Sequence, residues 1–465
     1  MTDRTEPRGA AALLHRLVDI RPDEMRAVLL SGAYFFFILS GYYILRPIRD
    51  EMGAAGGVEN IPWLFTGTLV GMLLAQPLFA ALVARMPRRV FIPVTYRFFM
   101  ANLLLFFLAL RIMPETQHVW IGRVFFIWVS VFNMFVVSVF WAFMADLFRR
   151  EQGKRLFGFI GLGGTIGAIT GAGLTAFFVE RVGAINMLLV SIAFIELGVW
   201  CVIALGREAR RGNAGPGPGP GPAAAIGIAA GAALTASDDG ERTIGGSVWA
   251  GVSHVLRSPY LLGICIYMLL YTIGSTVLYI AQADIINRNF TDTNERTAFF
   301  ASLDLAVNVL TLFTQAFLTG RILKWLGVAI TLALLPALSV VGFFALGTMP
   351  TLAVFVVFQV MRRGGNYAVA RPTREVLFTV VPREEKYKAK SFIDTFVYRV
   401  GDQVGAWSYA GLLALGLGLS TIAFLAVPIS AAWLVVSLWL GRRNAQMRDA
   451  REAPVAAPET ASAVT

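Results

Sequence analysis

The chain has 465 residues, of which 57% are apolar and only 15% are charged, and its mean hydropathy is +0.66. This composition excludes an ordinary soluble domain and is typical of a polytopic membrane protein. The net charge of +11 would suit a nucleic-acid-binding protein if the chain were soluble, but basic cytoplasmic loops account for it here, so no nucleic-acid partner is expected. Two cysteines and three scattered histidines indicate neither a disulfide framework nor a metal site.

Apolar segments long enough to cross a bilayer of about 30 Å, at about 1.5 Å per helical residue, occur twelve times. The sequence therefore predicts an all-α membrane protein with twelve transmembrane helices. The predicted spans are 27–46, 61–82, 91–110, 120–144, 157–178, 185–205, 260–281, 298–319, 329–346, 352–370, 391–416 and 420–440.

A long gap divides these spans into six and six. Residues 215–222 alternate Gly and Pro, which removes a backbone donor at every second position, so this gap is predicted to be a linker. The predicted organisation is an N-terminal six-helix half, a cytoplasmic Gly/Pro-rich linker, a C-terminal six-helix half and a cytoplasmic tail. Their respective bounds are 1–205, 206–259, 260–440 and 441–465.

Lys and Arg concentrate in alternate loops, whereas the turn at 347–351 has none. Because basic residues favour the cytoplasmic side, this asymmetry predicts a multi-pass protein of the cell inner membrane with both termini in the cytoplasm. The basic clusters lie at 85–89, 149–155, 207–211, 383–390 and 442–451.

Glycines on the fifth and eleventh spans indicate an internal repeat. Gly167 and Gly171 match Gly401 and Gly405 at one constant offset, and two parallel six-helix repeats are typical of transporters. Basic turns after spans two and eight resemble the layout of the major facilitator superfamily, although the first turn lacks its Asp-Arg-x-Gly core. Gly163, Gly167 and Gly171 repeat every four residues, so we expect this face to pack closely against a helix of the other half.

The end of the first span carries three charged side chains between two apolar runs. Arg46, Arg49 and Asp50 are spaced i, i+3 and i+4, which places them on one face of a continuing helix. Pro47 beside them can kink or end that helix. The pattern predicts a polar, mainly cationic site, and the alternative is an interfacial anchor at that end of the span.

Further charges lie at membrane depth in the second half. Arg362 and Arg363 lie near the midplane on span ten, Asp304 is on span eight, and Arg399 and Asp402 are i and i+3 on span eleven. Mutual neutralisation is the alternative to a binding role: Asp304 could pair with either arginine of span ten, and Arg399 with Asp402. A positive excess remains after such pairing, and the guanidinium fork suits phosphate or carboxylate.

Other features complete the set of candidates. Tyr42 and Tyr43 beside Arg46 are the aromatic side chains best placed to line a site, where a nucleobase could stack. Arg97 is near the cytoplasmic end of span three and can snorkel to the membrane surface.

No phosphate loop, metal-ligand spacing or nucleophile–histidine pattern occurs, so no catalytic residue, cofactor or enzymatic activity is predicted.

Three segments together resemble the nucleotide (ATP/ADP) translocase family of plastids and intracellular bacteria. They are residues 44–50 (ILRPIRD), residues 140–146 (FWAFMAD), and the segment from TRE at 373–375 to RVGD at 399–402. The resemblance implies that Arg49 stands at a functional lysine and Asp146 at a functional glutamate. It also places Asp402 where the family has a second functional lysine, which replaces a phosphate-binding cation with an anion.

The sequence thus predicts a secondary transporter that moves an anionic, phosphorylated small solute by alternating access, and it favours a monomer. The alternatives are an ATP/ADP-type nucleotide exchanger, a non-transporting membrane scaffold and a flippase for a lipid-linked substrate. The predicted solute-binding residues are Arg46, Arg49, Arg362, Arg399 and Tyr43. The predicted coupling residues or charge partners are Asp50, Asp146, Asp304 and Asp402, with Asp304 or Asp402 as the proton-coupling carboxylate.

Overall fold

The computed structural model describes residues 24–85, 88–211, 258–382, 389–390 and 392–452, together with Arg21 and Val255. Regular structure in this described part is entirely helical. The first half contains α1 Met25–Ala55, α2 Ile61–Arg85, α3 Arg88–Ile112, α4 Glu115–Leu147, α5 Arg150–Val182 and α6 Ala184–Arg211. The second half contains α7 Pro259–Asn289, α8 Thr293–Phe317, α9 Thr319–Thr348, α10 Leu352–Gly365, α11 Arg371–Leu377, α12 Tyr398–Ala414 and α13 Leu419–Glu452. Most of the predicted linker and the end of the predicted tail lie outside the described residues.

Ten helices within the described residues are long and apolar enough to cross a membrane. The two other predicted spans are interrupted. One is α10, which continues through a π-helical turn at Asn366–Ala370 into α11. The other is α12, which follows a π-helical turn at Ile393–Val397. Such turns often mark functional sites within helices. The predicted all-α membrane fold is confirmed.

Two boundaries differ from the predicted spans. Helix α1 continues through Pro47 as far as Ala55, nine residues past the predicted end of span one, and Pro47 is buried within it. Helix α9 is broken at Gly327, whose φ of 71° lies in the left-handed region that glycine adopts without a Cβ clash. The break falls in the segment predicted to connect spans eight and nine.

The glycine face of α5 packs against α1 of the same half, which corrects the prediction that it meets a helix of the other half. A Cβ on Gly167 would lie 2.3 Å from the carbonyl oxygen of Phe36, and one on Gly171 would lie 2.3 Å from that of Ser40. The Ser40 hydroxyl also donates to the Gly167 carbonyl at 3.1 Å. Only glycine allows this approach of two backbones.

The second half repeats this contact between its own helices. A Cβ on Gly405 of α12 would lie 2.9 Å from Thr276 of α7, and one on Gly401 would clash with Thr272. Helix α12 therefore packs on α7 as α5 packs on α1. This equivalence supports the interpretation of two six-helix repeats.

Side chains join the two halves at the end of the bundle where α1 finishes and α8 begins. There the Arg296 guanidinium donates to Glu51 at 2.8 Å, with 13% and 3% of their side-chain surfaces exposed. The Asn287 amide donates to the Ala54 carbonyl at 2.8 Å. We call this the closed end.

Helices α2 and α12 also meet near the closed end. The Thr66 hydroxyl donates to the Gln403 side-chain oxygen at 2.9 Å, and the rings of Trp63 and Trp407 lie 4.8 Å apart between centroids. Hydrogen bonds and ion pairs that join α1 or α2 to the second half lie within about 17 Å of the closed end, and there the Ala184 backbone N–H of α6 also donates to Asn294 of α8 at 2.9 Å. The structure is therefore closed at this end.

At the opposite end, an ion pair holds α1 to α5 within the first half. Arg155 donates to Glu24 at 2.9 Å, and Gln152 donates to the same carboxylate at 2.7 Å. Burial raises the pKa of the Glu24 carboxyl, but these hydrogen bonds outweigh it and hold the pKa below its ordinary value. The link therefore stabilises the fold near neutral pH and is lost as pH falls through that lowered pKa.

Candidate functional site

Helices α1, α8 and α10 bring opposite charges together about halfway through the bundle. Arg363 of α10 donates to Asp304 Oδ1 at 2.6 Å, and Arg46 Nε of α1 lies 3.4 Å from Asp304 Oδ2. Asp304 itself is only 2% exposed. Because α1 and α10 belong to different halves, this carboxylate lies between cations that both halves supply. Of the two arginines predicted as possible partners for Asp304, the structure selects Arg363.

A second carboxylate adjoins the first. Asp50 Oδ1 accepts hydrogen bonds from Arg49 Nε at 2.9 Å and from the Tyr279 hydroxyl of α7 at 2.9 Å. Its other oxygen lies 4.0 Å from Arg46 Nε. Arg46, Arg49 and Asp50 share one region because α1 remains helical through Pro47, which preserves their i, i+3, i+4 spacing. We call Arg46, Arg49, Asp50, Asp304 and Arg363 the central cluster.

The central cluster carries one excess positive charge, because it contains three guanidinium groups and two carboxylates. The shortest contacts of Arg46 with both carboxylates are made by Nε. Among the described residues its terminal nitrogens, Nη1 and Nη2, make no hydrogen bond, and 15% of its side chain is exposed. These two nitrogens are the pair that binds planar or tetrahedral oxyanions in a two-point contact.

Aromatic rings surround the arginines of α1. The Arg46 guanidinium carbon lies 5.6 Å from the centre of the Tyr43 ring, and the Arg49 carbon lies 5.1 Å from that of Phe126. Tyr42 packs edge-on against Tyr43, with 5.3 Å between ring centroids. These contacts orient the cations without adding negative charge to the cluster. Tyr43 therefore lies beside the free end of Arg46, as its sequence position predicts.

Arg362 lies away from the central cluster, inside the second half. Its guanidinium donates to Ser339 at 3.1 Å, to Ser275 at 2.9 Å and to the Tyr271 carbonyl at 3.3 Å, and the residue is 3% exposed. The Trp433 ring lies on the same guanidinium, 6.0 Å from its carbon. The structure thus separates two adjacent arginines, because successive helical residues point about 100° apart.

Arg399 and Asp402 form a separate pair on α12. Arg399 Nη1 lies 3.4 Å from Asp402 Oδ2, and the Thr276 hydroxyl donates to the other Asp402 oxygen at 3.2 Å. Arg399 also contacts the Met72 sulfur of α2 at 3.2 Å, and one-third of its side chain is exposed. This pair therefore bridges α12 to helices of both halves.

Asp146 lies in the last turn of α4, at the end of the bundle opposite the closed end. Helix α5 begins at Arg150, a few residues later, and its first turns hold Glu24. The structure therefore does not bring Asp146 to the central cluster. Its predicted role as a coupling residue remains a prediction.

Sequence reasoning missed the ion pair between Glu51 and Arg296 at the closed end. Glu51 directly follows Asp50, and Arg296 lies in the first turn of α8, so both positions look like solvated helix ends. The signal that could have revealed this ion pair is the position of Glu51, whose charge directly follows the predicted cationic site on α1. The buried bond between the Gln359 amide and the Gln282 oxygen, at 2.6 Å, was also missed and gave no such signal.

A family model described as Major Facilitator Superfamily matches residues 27–406. The chain therefore belongs to the major facilitator superfamily, whose members have the fold seen here. Over 90% of its length it is similar to a solved structure described as an auto inhibited POT family peptide transporter. That similarity has a TM-score of 0.57, 15% identity and 97% coverage of the other chain, and it concerns the fold alone.

Two curated relatives are named ADP,ATP carrier protein 1. The protein from Chlamydia trachomatis serovar D is 23% identical, with 90% of this chain and 88% of the relative covered. The protein from Chlamydia muridarum is 26% identical over 46% of each chain, so the match spans about half of that relative's length. These similarities bear out the resemblance to the nucleotide translocase family.

Proposed function

We propose that this chain is a secondary transporter that moves an anionic, phosphorylated small solute by alternating access. The observation that carries the proposal is the position of Arg46. It lies between the two halves, within a cluster that has an excess positive charge, and neither of its terminal nitrogens makes a hydrogen bond among the described residues. A phosphate group offers oxygens at the spacing that this fork binds.

The central cluster suggests how such a solute would act on the halves. Without solute, Asp304 neutralises Arg46 of the first half and Arg363 of the second. A solute phosphate would compete with Asp304 for these cations and so weaken the ion contact between the halves. Hydrogen bonds to charged groups contribute about 1.5–3 kcal/mol each. Two such bonds, made in one conformation and absent from the other, would shift the equilibrium between the conformations by more than about a hundredfold.

Nucleotide exchange is the second candidate. It is favoured by the relatives named ADP,ATP carrier proteins. The half-buried Tyr43 ring beside Arg46 also offers aromatic surface next to the proposed phosphate position, and the buried Tyr42 packs against it. Asp402 is the observation that separates the two candidates, because it stands where the resemblance implies a functional lysine. We retain the broader phosphorylated solute as the main proposal for that reason.

The coupling residue and the orientation are further parts of the proposal. Asp402 and Asp304 are both buried carboxylates with arginine partners, and either would serve as a proton-coupling group or as a charge partner. We propose that the protein lies in the inner membrane with both termini in the cytoplasm, so that the closed end faces outward. Two six-helix halves at 1–205 and 260–440 would then move against each other.

The test is a thermal-shift and binding screen of the purified full chain with nucleotides, sugar phosphates, inorganic phosphate and dicarboxylates. A ligand that binds the folded state raises stability by about 2.7 kcal/mol at a hundredfold excess over its Kd. We expect phosphorylated ligands to stabilise the wild type and to lose this effect in R46Q. The matched control is R288Q, which removes an exposed arginine paired with Asp284 and leaves the cluster intact.

Each outcome of this screen supports or contradicts one of the candidate functions. Stabilisation by ATP or ADP that disappears in R46Q would make nucleotides the substrate class, despite Asp402. Stabilisation by smaller phosphorylated anions alone would keep the main proposal and remove nucleotide exchange. Stabilisation by lipid-linked phosphates alone would indicate a flippase. Binding that is equal in the wild type and R46Q would contradict the cationic site.

A further inference from the structure

The outer surface of the first half carries an ion pair that the transport site does not use. Arg97 of α3 donates to Glu196 of α6 at 3.0 Å, and the Trp200 indole donates to the same oxygen at 2.9 Å. The position of Arg97 in the sequence predicts that its side chain snorkels to the membrane surface. Instead, Arg97 contacts the neighbouring helix α6. We call Arg97, Glu196 and Trp200 the lateral patch.

The acidic residue of the lateral patch lies deeper in the membrane than Arg97, which is seven residues, or about 10 Å, from the start of the apolar segment Val90–Ile112. Glu196 is twelve residues from each end of the apolar segment Ala184–Glu208, which places it about 18 Å from either end and close to the bilayer midplane. Yet 53% of the Arg97 side chain and 31% of the Glu196 side chain are exposed. Lipid acyl chains provide no hydrogen-bond partner at that depth, so exposed charges there call for a protein partner.

The surface around the patch faces away from the other half. Helix α3 packs mainly against α6 and α4, and its outward side chains are apolar, such as Phe98, which is 61% exposed. Leu197 of α6 is 40% exposed beside Glu196. Two small exposed residues, Ala101 and Ala193, lie one helical turn from Arg97 and Glu196 and would allow another helix to approach closely.

We propose that the lateral patch is the site where a second copy of this chain binds. The patch contains one cation beside one anion, so it is complementary to itself across a two-fold axis along the membrane normal. Arg97 uses only Nη2 for Glu196 and makes no other hydrogen bond among the described residues. Its other donors would meet the partner's Glu196, and the reverse contact follows by symmetry. The proposal therefore predicts a dimer, whereas the sequence favours a monomer.

The test uses charge reversal in trans. The R97E subunit has two acidic groups at the patch and the E196R subunit has two basic groups, so each repels its own copy. A mixture of the two places opposite charges across the interface. We expect two-colour single-molecule counting in nanodiscs to show dimers for the wild type, monomers for each variant alone and heterodimers for the mixture. D284R and R288E, which alter an exposed pair of α7, are the control mixture and should leave homodimers unchanged.

A second variant keeps the proposal testable if a charge reversal unfolds the chain. A193F adds bulk on an exposed position, leaves both charges in place and should convert dimers to monomers with an unchanged melting temperature. A monomeric wild type in nanodiscs would overturn the proposal. So would dimers that persist in A193F, or a mixture of R97E and E196R that stays monomeric although both variants are folded.

Discussion

Replacing Arg363 should weaken solute binding, whereas replacing Arg362, one residue away, should leave it unchanged. Arg363 bonds Asp304 in the central cluster, whereas Arg362 bonds Ser339 and Ser275 inside the second half. We therefore expect R363Q to weaken solute binding and R362Q to lower stability. The two substitutions remove the same group from the same helix, so each is the matched control of the other.

The magnitudes follow from the contacts. A charge-assisted hydrogen bond to a phosphate is worth about 1.5–3 kcal/mol, which corresponds to a Kd increase of about 10- to 150-fold in R363Q. R363Q also leaves Asp304 with the longer Arg46 contact alone, so its stability should fall as well. The double variant R363Q/D304N removes both members of the pair and should recover stability without recovering affinity.

R362Q removes three hydrogen bonds from a buried guanidinium, each worth about 1.5 kcal/mol or more, and also removes the cost of burying the charge, so we expect a net loss of about 3 kcal/mol of folding stability. The protein that remains folded should bind solute with the wild-type Kd. The assay is a melting temperature and a ligand titration for each variant in detergent, followed by uptake into proteoliposomes. A raised Kd in R362Q together with an unchanged Kd in R363Q would refute the reasoning and restore Arg362 as the solute-binding residue.

Three further substitutions test other parts of the structure. E51Q removes the charge that Arg296 binds at the closed end, so cysteine probes placed there should become more accessible to a membrane-impermeant thiol reagent. G171V places side-chain atoms against the α1 backbone and should abolish folded expression, whereas G173A, on the same helix where an added Cβ would meet only Leu305 at 3.9 Å, should express normally. Arg399→Ala should abolish uptake while the melting temperature stays near that of the wild type, since one-third of this side chain is exposed.

Each of these predictions has a contrary outcome. Unchanged thiol accessibility in E51Q would mean that the apolar and aromatic contacts near Trp63 hold the closed end without the ion pair. Normal expression of G171V would show that α1 and α5 can separate at little cost. Loss of folded protein in Arg399→Ala would make Arg399 a structural partner of Asp402 and remove it from the proposed solute site.

Hydropathy and charge patterns predicted the membrane class, the all-α fold and the two groups of spans, because each depends on local composition and segment length. The grouping of Arg46, Arg49 and Asp50 on one face of α1 was also predictable, since their spacing fixes their relative direction within one helix. The resemblance to nucleotide translocases came from short motifs and is borne out by the curated relatives.

Helix packing determined which side chains meet, because this depends on how each helix is rotated about its axis. A sequence places Arg362 and Arg363 at nearly the same depth, but their side chains diverge by about 100°, and only the neighbours of α10 decide which one meets Asp304. The glycine face of α5 likewise has no assigned partner in the sequence, and it meets α1 because that helix presents its own backbone there. Depth and sign of charge are properties of the sequence, whereas pairing across helices is a property of the fold.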